Sequence, residues 1–390
     1  MRTMVWEVKV SKLCNLRCTY CYEFYELADP RRLSLENWRA ILESILWYHE
    51  ELERRGEPVV TQIIWHGGEP LLLPLPYYRS VVALEGEVFG DRLNKTITNH
   101  IPTNLFKVPA ETLAFLRAEQ FRIVVSFDAI SGVRVDGAGK PTEQNVEANI
   151  RRLLADGWTL GCDTVLGRHN AAVLPAVYDK MRDISQSSAG QLYFNVLPLH
   201  GTPTDDGHTA FSLPASELAD AMFHLFVHWT EEEERTIDLW PIETYYLDVV
   251  RKLRGLPREY FDRREFGESA LIVNTDGRLY SMSDFYDPAR SLGSLFTQSL
   301  AEIMSSPAYA ASLDRDEARL RRYCGTCPYD GYCNHQPLIN GRRDEPGDHC
   351  SLGFPLHQKI ESWLVERGFD QEGTDAALPH FDCLVESESA

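Results

Sequence analysis

The sequence predicts an α/β fold assembled from β-α units, on three observations. From Val5 to about Leu199 short apolar runs alternate with longer amphipathic stretches, the rhythm of strands that each hand on to a helix and therefore lie parallel. The chain, at 390 residues, is long enough for a sizeable core and for two domains. Its polar motifs fall at the carboxyl ends of the apolar runs, where parallel α/β folds assemble their sites. Periodicity alone permits a six-unit partial barrel and a doubly wound sheet equally.

The elements follow in order. Val5 opens the first strand, and Met1-Arg2-Thr3-Met4-Val5-Trp6 enters it without a signal-peptide pattern. Ser34 caps the first helix, in which Trp38, Ile41, Leu42, Ile45 and Leu46 recur at helical spacing, and Gly56 lies just past its end. Strands are expected from Val59 to Trp65, Ile97 to Ile101, Arg122 to Ser126, Thr159 to Leu166 and Leu192 to Leu197. Helices are expected near Thr142 to Asp156 and Ala172 to Ile184. Leu213 to Leu253 reads mainly as helix, with Glu231-Glu232-Glu233-Glu234-Arg235 a solvated charge run. Leu271 to Tyr280 reads as a hairpin turning at Asp276-Gly277. The polar, acidic stretch from Gln371 to Ala390 is expected to be loose. Divided by motif, the chain falls into a core over 1–205, a bridging helical segment over 206–265, a cysteine-bearing domain over 266–355, and a helix with an acidic tail over 356–390.

Two groups of cysteines carry the chemistry. Cys14, Cys18 and Cys21 follow the first strand at CxxxCxxC spacing. Three thiolates so spaced can bind three irons of a [4Fe–4S] cube, leaving the fourth open to a small molecule. A zinc knuckle also uses closely spaced cysteines, but zinc wants four ligands and no fourth lies nearby. One β-α unit later an apolar run leads into His66-Gly67-Gly68-Glu69-Pro70, where glycines permit a close backbone approach and the proline fixes the exit. The second group, Cys324, Cys327, Cys333 and the more distant Cys350, offers four ligands and so a closed site, either iron–sulfur or zinc ribbon. Cys162 reads as a small core residue, and Cys383 as a bystander in the tail.

The first motif resembles the cluster loop of the radical S-adenosylmethionine (SAM) superfamily. That resemblance implies a partial (β/α)6 barrel, a [4Fe–4S] cluster on Cys14, Cys18 and Cys21, and SAM chelating the open iron. It further implies reductive cleavage of SAM to a 5′-deoxyadenosyl radical that takes a hydrogen atom from the substrate. Tyr20 would then lie beside the adenine, the Gly67-Gly68-Glu69-Pro70 turn would hold the SAM amino group, Ser126 would bond the ribose or carboxylate, and Asn104 would line the cleft. The second group resembles the SPASM extension of peptide-modifying relatives. A full SPASM domain holds two auxiliary clusters, and the cysteines of the first would fall near Gly267 to Ser283 and at Pro337. Here those places hold Glu268, Ser269, Met282, Ser283 and Pro337, so the resemblance implies one auxiliary [4Fe–4S] cluster, on Cys324, Cys327, Cys333 and Cys350. Asp284, just after the hairpin, takes the place of a substrate-facing proton acceptor in those relatives.

Loss of the first auxiliary cluster, with the residues around Asp276 to Asp284 and Gly341-Arg342-Arg343-Asp344, resembles cyclophane-forming enzymes of the FxsB type. The expected substrate is a ribosomally made precursor peptide, crosslinked from a β-carbon to an aromatic ring. Partners would be an electron donor such as flavodoxin or ferredoxin and, with no leader-binding domain before Val5, a separate leader-peptide-binding protein or the acidic surface itself. Formylglycine formation, as in sulfatase maturases, and radical chemistry on a small sugar or amino acid are the enzyme alternatives; an iron–sulfur or zinc sensor is the non-enzyme one. The net charge of −19 argues against nucleic acid as a partner. No run of apolar residues is long enough for a membrane span. Nine cysteines, seven of them in the two ligand-spaced groups, point to metal in a reducing cytoplasm rather than to disulfides.

Overall fold

The structure is a computed structural model describing residues 2–23, 27–186, 189–199, 210–232, 236–260, 263–282, 287–334 and 347–369. It is an α/β fold with a mainly parallel sheet. In chain order the first elements are β1 (Arg2–Ser11), α1 (Leu35–Arg54), β2 (Val59–Gly67), α2 (Leu75–Phe89), β3 (Ile97–Thr103), α3 (Ala110–Ala118) and β4 (Arg122–Ser126). There follow α4 (Glu143–Ala155), β5 (Thr159–Leu166), α5 (Leu174–Gln186), β6 (Gln191–Pro198), α6 (Ala215–Thr230), β7 (Asp238–Trp240) and α7 (Ile242–Leu253). The last are β8 (Ala270–Val273), β9 (Arg278–Ser281), β10 (Gly293–Ser294), α8 (Pro307–Tyr323) and α9 (Gly353–Glu366).

Two compact units divide these elements, and neither is continuous in sequence. One comprises Met1–Ser126, Arg134–Asn149 and Arg263–Glu317; the other comprises Phe127–Val133, Ile150–Asp262 and Ala318–Ala390.

In the first unit the strand order is β10-β9-β8-β1-β2-β3-β4. β1 to β4 are parallel, and β8 joins β1 in parallel with Val5 opposite Ala270. β8 and β9 form the antiparallel hairpin that the sequence places at Asp276-Gly277, with Ile272 opposite Tyr280. Alternation sorts the faces of β1: Trp6, Val8 and Val10 are fully buried, while Glu7 and Lys9 point to the other side. α1 starts as expected, with the Ser34 hydroxyl accepting the Asn37 amide at 3.1 Å. Its buried face brings Trp38 to 4.6 Å from Trp65 of β2, which stacks in turn on Tyr78 of α2 at 5.4 Å. Rings buried this completely contribute about 1.5–3 kcal/mol each, so this cluster ties both helices to the sheet. The buried Trp65 indole N–H is satisfied by Asn99 Oδ1 at 2.7 Å.

The position where the sequence lacks cysteines for a first auxiliary cluster is filled by a polar hub in this unit. Glu268 is completely buried; its carboxylate accepts from the Tyr48 and Tyr309 hydroxyls and from Arg264 at 2.9 and 3.1 Å, with Arg2 at 3.8 Å. A buried carboxylate is tolerated because every lone pair finds a donor.

In the second unit β5, β6 and β7 are parallel neighbours, with Cys162 of β5 opposite Phe194 of β6. Cys162 is fully buried against Met181, as a small core residue should be. The segment expected to be mainly helical holds α6 and α7 but also the short strand β7, and of its charge run Glu233, Glu234 and Arg235 lie outside the described residues. No helix among the described residues is long and apolar enough to cross a membrane.

Candidate active site

The first site grows from the ends of four parallel strands. β1 ends at Ser11 and runs into the Cys14-Cys18-Cys21 loop, β2 ends at Gly67, Asn104 follows β3, and Ser126 ends β4. Backbone bonds fold the cysteine loop: Cys14 N–H donates to Leu27 O at 3.1 Å, Arg17 N–H to Val135 O at 2.7 Å, and Cys21 N–H to Cys18 O at 3.1 Å. Burial, helped by the Glu69 carboxylate and the Cys18 thiol, pushes the Cys14 thiol up to about 11, and burial, helped by the Cys18 thiol, pushes that of Cys21 up to about 12. Thiols crowded out of water in this way resist ionising unless a cation joins them.

The Gly67-Gly68 turn is pressed against this loop. Gly68 N–H donates to Ser11 O and Glu69 N–H to Leu13 O, each at 2.9 Å. A β-carbon on Gly67 would lie 1.9 Å from Ser11 O, and one on Gly68 would lie 2.4 Å from Lys12 O and 2.5 Å from Leu13 O. Gly67 also has φ +126°, closed to other residues. The glycines thus admit the cysteine loop's own backbone. The buried Glu69 carboxylate is tied down within the protein: Oε1 accepts from Leu71 N–H at 2.8 Å and Thr103 Oγ1 at 2.9 Å, and Oε2 from Asn104 N–H at 2.7 Å. Burial raises this carboxyl to about 7 despite those three bonds. Glu69 therefore fastens the turn to the end of β3. Pro70 begins a short 3₁₀ turn, and its carbonyl accepts from the Tyr78 hydroxyl at 2.6 Å.

Asn104 continues the connection. Its Nδ2 donates to Asn15 Oδ1 at 2.8 Å and lies 3.9 Å from Cys14 Sγ. With Thr103 opposite Val125, the β3–β4 register sets Asn104 and Ser126 at one strand end. The half-buried Ser126 hydroxyl makes no hydrogen bond among the described residues. Tyr20 is buried with the Arg134 guanidinium 5.4 Å from its ring centre, and Arg134 also lies 3.8 Å from Cys18 Sγ. Sequence reading missed Arg134, which belongs to no motif. Asp284 lies outside the described residues, as do Ser283, Pro337 and Gly341 to Asp344.

The second cysteine group forms in the other unit. Cys324 caps α8 through Leu320 O at 2.8 Å, Cys327 N–H donates to Cys324 O at 2.8 Å, and Cys333 N–H donates to Tyr329 O at 2.9 Å. Burial raises the Cys324 thiol strongly, and the neighbouring Cys350, Asp330 and Cys327 raise it too. Cys350 is pushed by burial up to about 11, offset in part by the Gly353 and Phe354 amides at the start of α9. Backbone amides aimed at sulfur are a feature of iron–sulfur ligation. The sequence did not flag Asp248 and His357, both buried: His357 Nε2 lies 2.9 Å from Asp248 Oδ2, and their ligating atoms and the Cys333 sulfur lie within 4.8 Å of one another.

The model of the radical SAM superfamily matches residues 8–171, and that of an iron-sulfur cluster-binding domain, SPASM, matches residues 265–328. The chain carries a radical SAM domain and a SPASM domain. It is an enzyme of the radical SAM oxidoreductase type. The serine-type anaerobic sulfatase-maturating enzyme of Bacteroides thetaiotaomicron is 24% identical over 380 residues, covering 91% of this chain and 88% of its own. The Klebsiella aerogenes enzyme of the same name is 24% identical over 329 residues, covering 83% and 76%. Among solved structures, anSMEcpe with bound AdoMet and Kp18Cys peptide superposes with a TM-score of 0.66 at 17% identity, covering 94% of this chain and 98% of that one. Streptococcus suis SuiB bound to precursor peptide SuiA gives 0.56 at 14% identity, covering 89% and 74%.

A radical SAM domain implies a [4Fe–4S] cluster with SAM, and a SPASM domain implies auxiliary iron–sulfur clusters. The residues fit both. Three crowded thiols supply the first donor set, and the Asn15 Nδ2 buried beside them is unpartnered among the described residues. The second group supplies four thiols with amides directed at sulfur.

Proposed function

We propose that this radical SAM enzyme removes a hydrogen atom from a side-chain carbon of a ribosomally made precursor peptide and leaves a bond between a β-carbon and an aromatic ring. The observation that carries the peptide reading is the pairing of a three-cysteine loop, seated on the Gly67-Gly68 turn, with a separate four-cysteine group in one chain. Bound at the first site, the cluster and SAM supply the carbon radical that makes the abstraction possible. Cys14, Cys18 and Cys21 hold the cluster, Tyr20 flanks the adenine, Gly67, Gly68, Glu69 and Pro70 form the turn that holds the SAM amino group, and Ser126 and Asn104 face the cosubstrate. Cys324, Cys327, Cys333 and Cys350 hold one auxiliary cluster, because Glu268 at the alternative position spends its lone pairs on Tyr48, Tyr309 and Arg264. Closing a ring after hydrogen abstraction releases one further electron and one proton. The auxiliary centre suits the electron, and Asp284 is assigned the proton.

The finer division of the chain at 205, 265 and 355, a flavodoxin- or ferredoxin-type electron donor, a separate leader-binding protein and a cytoplasmic setting belong to the same proposal. A second reading, formylglycine formation, is favoured by the sulfatase-maturating relatives. Incubating reconstituted enzyme, reductant and SAM with candidate precursor peptides separates the two. Loss of two hydrogens with fragmentation blocked between two residues supports the crosslink; a product of the same mass that captures a hydrazide probe and fragments freely is an aldehyde and refutes it.

A further inference from the structure

Lys9 is wholly buried in β1 between Val8 and Val10, on the strand face opposite Trp6 and Val8. A buried ammonium persists only where it is paired and hydrogen-bonded. Its Nζ donates to the Tyr22 hydroxyl, lies 2.8 Å from Glu23 and 3.1 Å from Glu7, and donates to His66 Nδ1 at 3.0 Å. His66 Nδ1 also accepts the Gly67 N–H at 2.7 Å. With both donors aimed at Nδ1, that nitrogen carries the lone pair and the ring proton sits on Nε2.

The partners come from two places. Tyr22 and Glu23 directly follow Cys21, whereas His66 directly precedes the Gly67-Gly68 turn. Lys9 and His66 are opposite each other on β1 and β2, and the next paired residues are Ser11 and Gly67, so one extra residue bulges from β1 at this point. Such a bulge re-aims the strand beyond it. Here the re-aimed Ser11 carbonyl accepts the Gly68 amide at 2.9 Å.

We propose that Lys9 is a positioning residue that locks the exit of the three-cysteine loop to the entrance of the Gly67-Gly68 turn, fixing the two halves of the SAM site in register. The proposal rests on the reading that these two segments hold the cluster and SAM. A hub serving stability alone has no need of one partner next to Cys21 and another next to Gly67. Lys9 acts at both, through Glu23 and Tyr22 on one side and His66 on the other.

Lys9→Met alone leaves Glu7 and Glu23 uncompensated and endangers folding, so the test uses Lys9→Met/Glu23→Gln, which keeps the formal charge of the hub unchanged, and separately His66→Leu, which keeps the Lys9–Glu23 pair. Reconstituted holoenzyme is reduced and titrated with SAM, reading iron content and the paramagnetic resonance spectrum of the cluster. In the wild type SAM alters that spectrum. Both variants should require about tenfold more SAM for the same change, the equivalent of losing one well-placed hydrogen bond. Full iron with a wild-type SAM titration in either variant overturns the proposal. Loss of iron from the double variant with native secondary structure shows the same lock from the cysteine side. A wild type whose spectrum ignores SAM refutes the functional reading itself, a result distinct from failure of the lock.

Discussion

Substituting Gly68 by alanine puts the fit between turn and cysteine loop to a quantitative test. The added carbon would meet Lys12 O at 2.4 Å, Leu13 O at 2.5 Å and Leu13 C at 2.7 Å, against an ordinary contact of 3.4–4 Å. All three are backbone atoms, so no side chain can swing away; turn and loop must separate by about 1 Å. Overpacking of this kind costs about 1–3 kcal/mol, which the folded chain survives. Displacing a reacting group by about 1 Å lowers a rate by about 100-fold. The reduced, reconstituted Gly68→Ala enzyme should therefore keep its iron and cleave SAM to 5′-deoxyadenosine about 100-fold more slowly. Gly86→Ala in α2 is the control, since a β-carbon there meets nothing within 4 Å. It should leave the rate unchanged and stabilise the helix by about 0.5–1 kcal/mol. A Gly68→Ala rate within about threefold of wild type would refute the argument that the glycines exist to admit the cysteine loop.

Two further outcomes are expected. Glu85 is buried, with Oε2 accepting from Asn99 at 2.9 Å and Oε1 unpartnered among the described residues, and burial raises its carboxyl from 4.5 to about 8. The unfolded chain loses this proton first, so wild-type stability falls as pH rises from about 4.5 to 8 and then levels. Glu85→Gln removes that slope; its advantage in unfolding midpoint should widen between pH 5 and 8, and a constant difference would contradict the assignment. At the second cysteine group, wild type should take up about eight irons per chain on anaerobic reconstitution and Cys333→Ala about four; wild type with about four irons and one zinc would exclude an auxiliary iron–sulfur centre.

Much of the fold was legible because its strands obey simple periodicity. Thr159 to Leu166 and Arg122 to Ser126 match their predicted spans, and the Ser34 cap, the Gly56 stop and the hairpin at Asp276-Gly277 all form. α2 was not read from the sequence: its start has no side-chain cap, even though the proline in its first turn is a helix-start signal. β7 was lost within a helical stretch because three residues are too few for a period. The cysteine motifs announced the site, but not why its parts cohere. Gly67 and Gly68 read as accommodation for a ligand, and the structure adds that protein backbone crowds them as well; Glu69 reads as a ligand contact, and its oxygens also accept from Leu71, Thr103 and Asn104. Thr103 and Asn104 lie 34 and 35 residues from Glu69 in the chain, and no spacing rule reaches them. Lys9 did leave a trace, a charge between Val8 and Val10, whose meaning appears only when Glu23 and His66 converge on it.

The pairing of β1 with β8 has a consequence for biogenesis. On the ribosome the strand that carries the cysteine loop emerges well before one of its two neighbours, which is not made until residue 270. Through most of synthesis that edge is a bare template for intermolecular pairing, and messages truncated before this point should yield chains that aggregate.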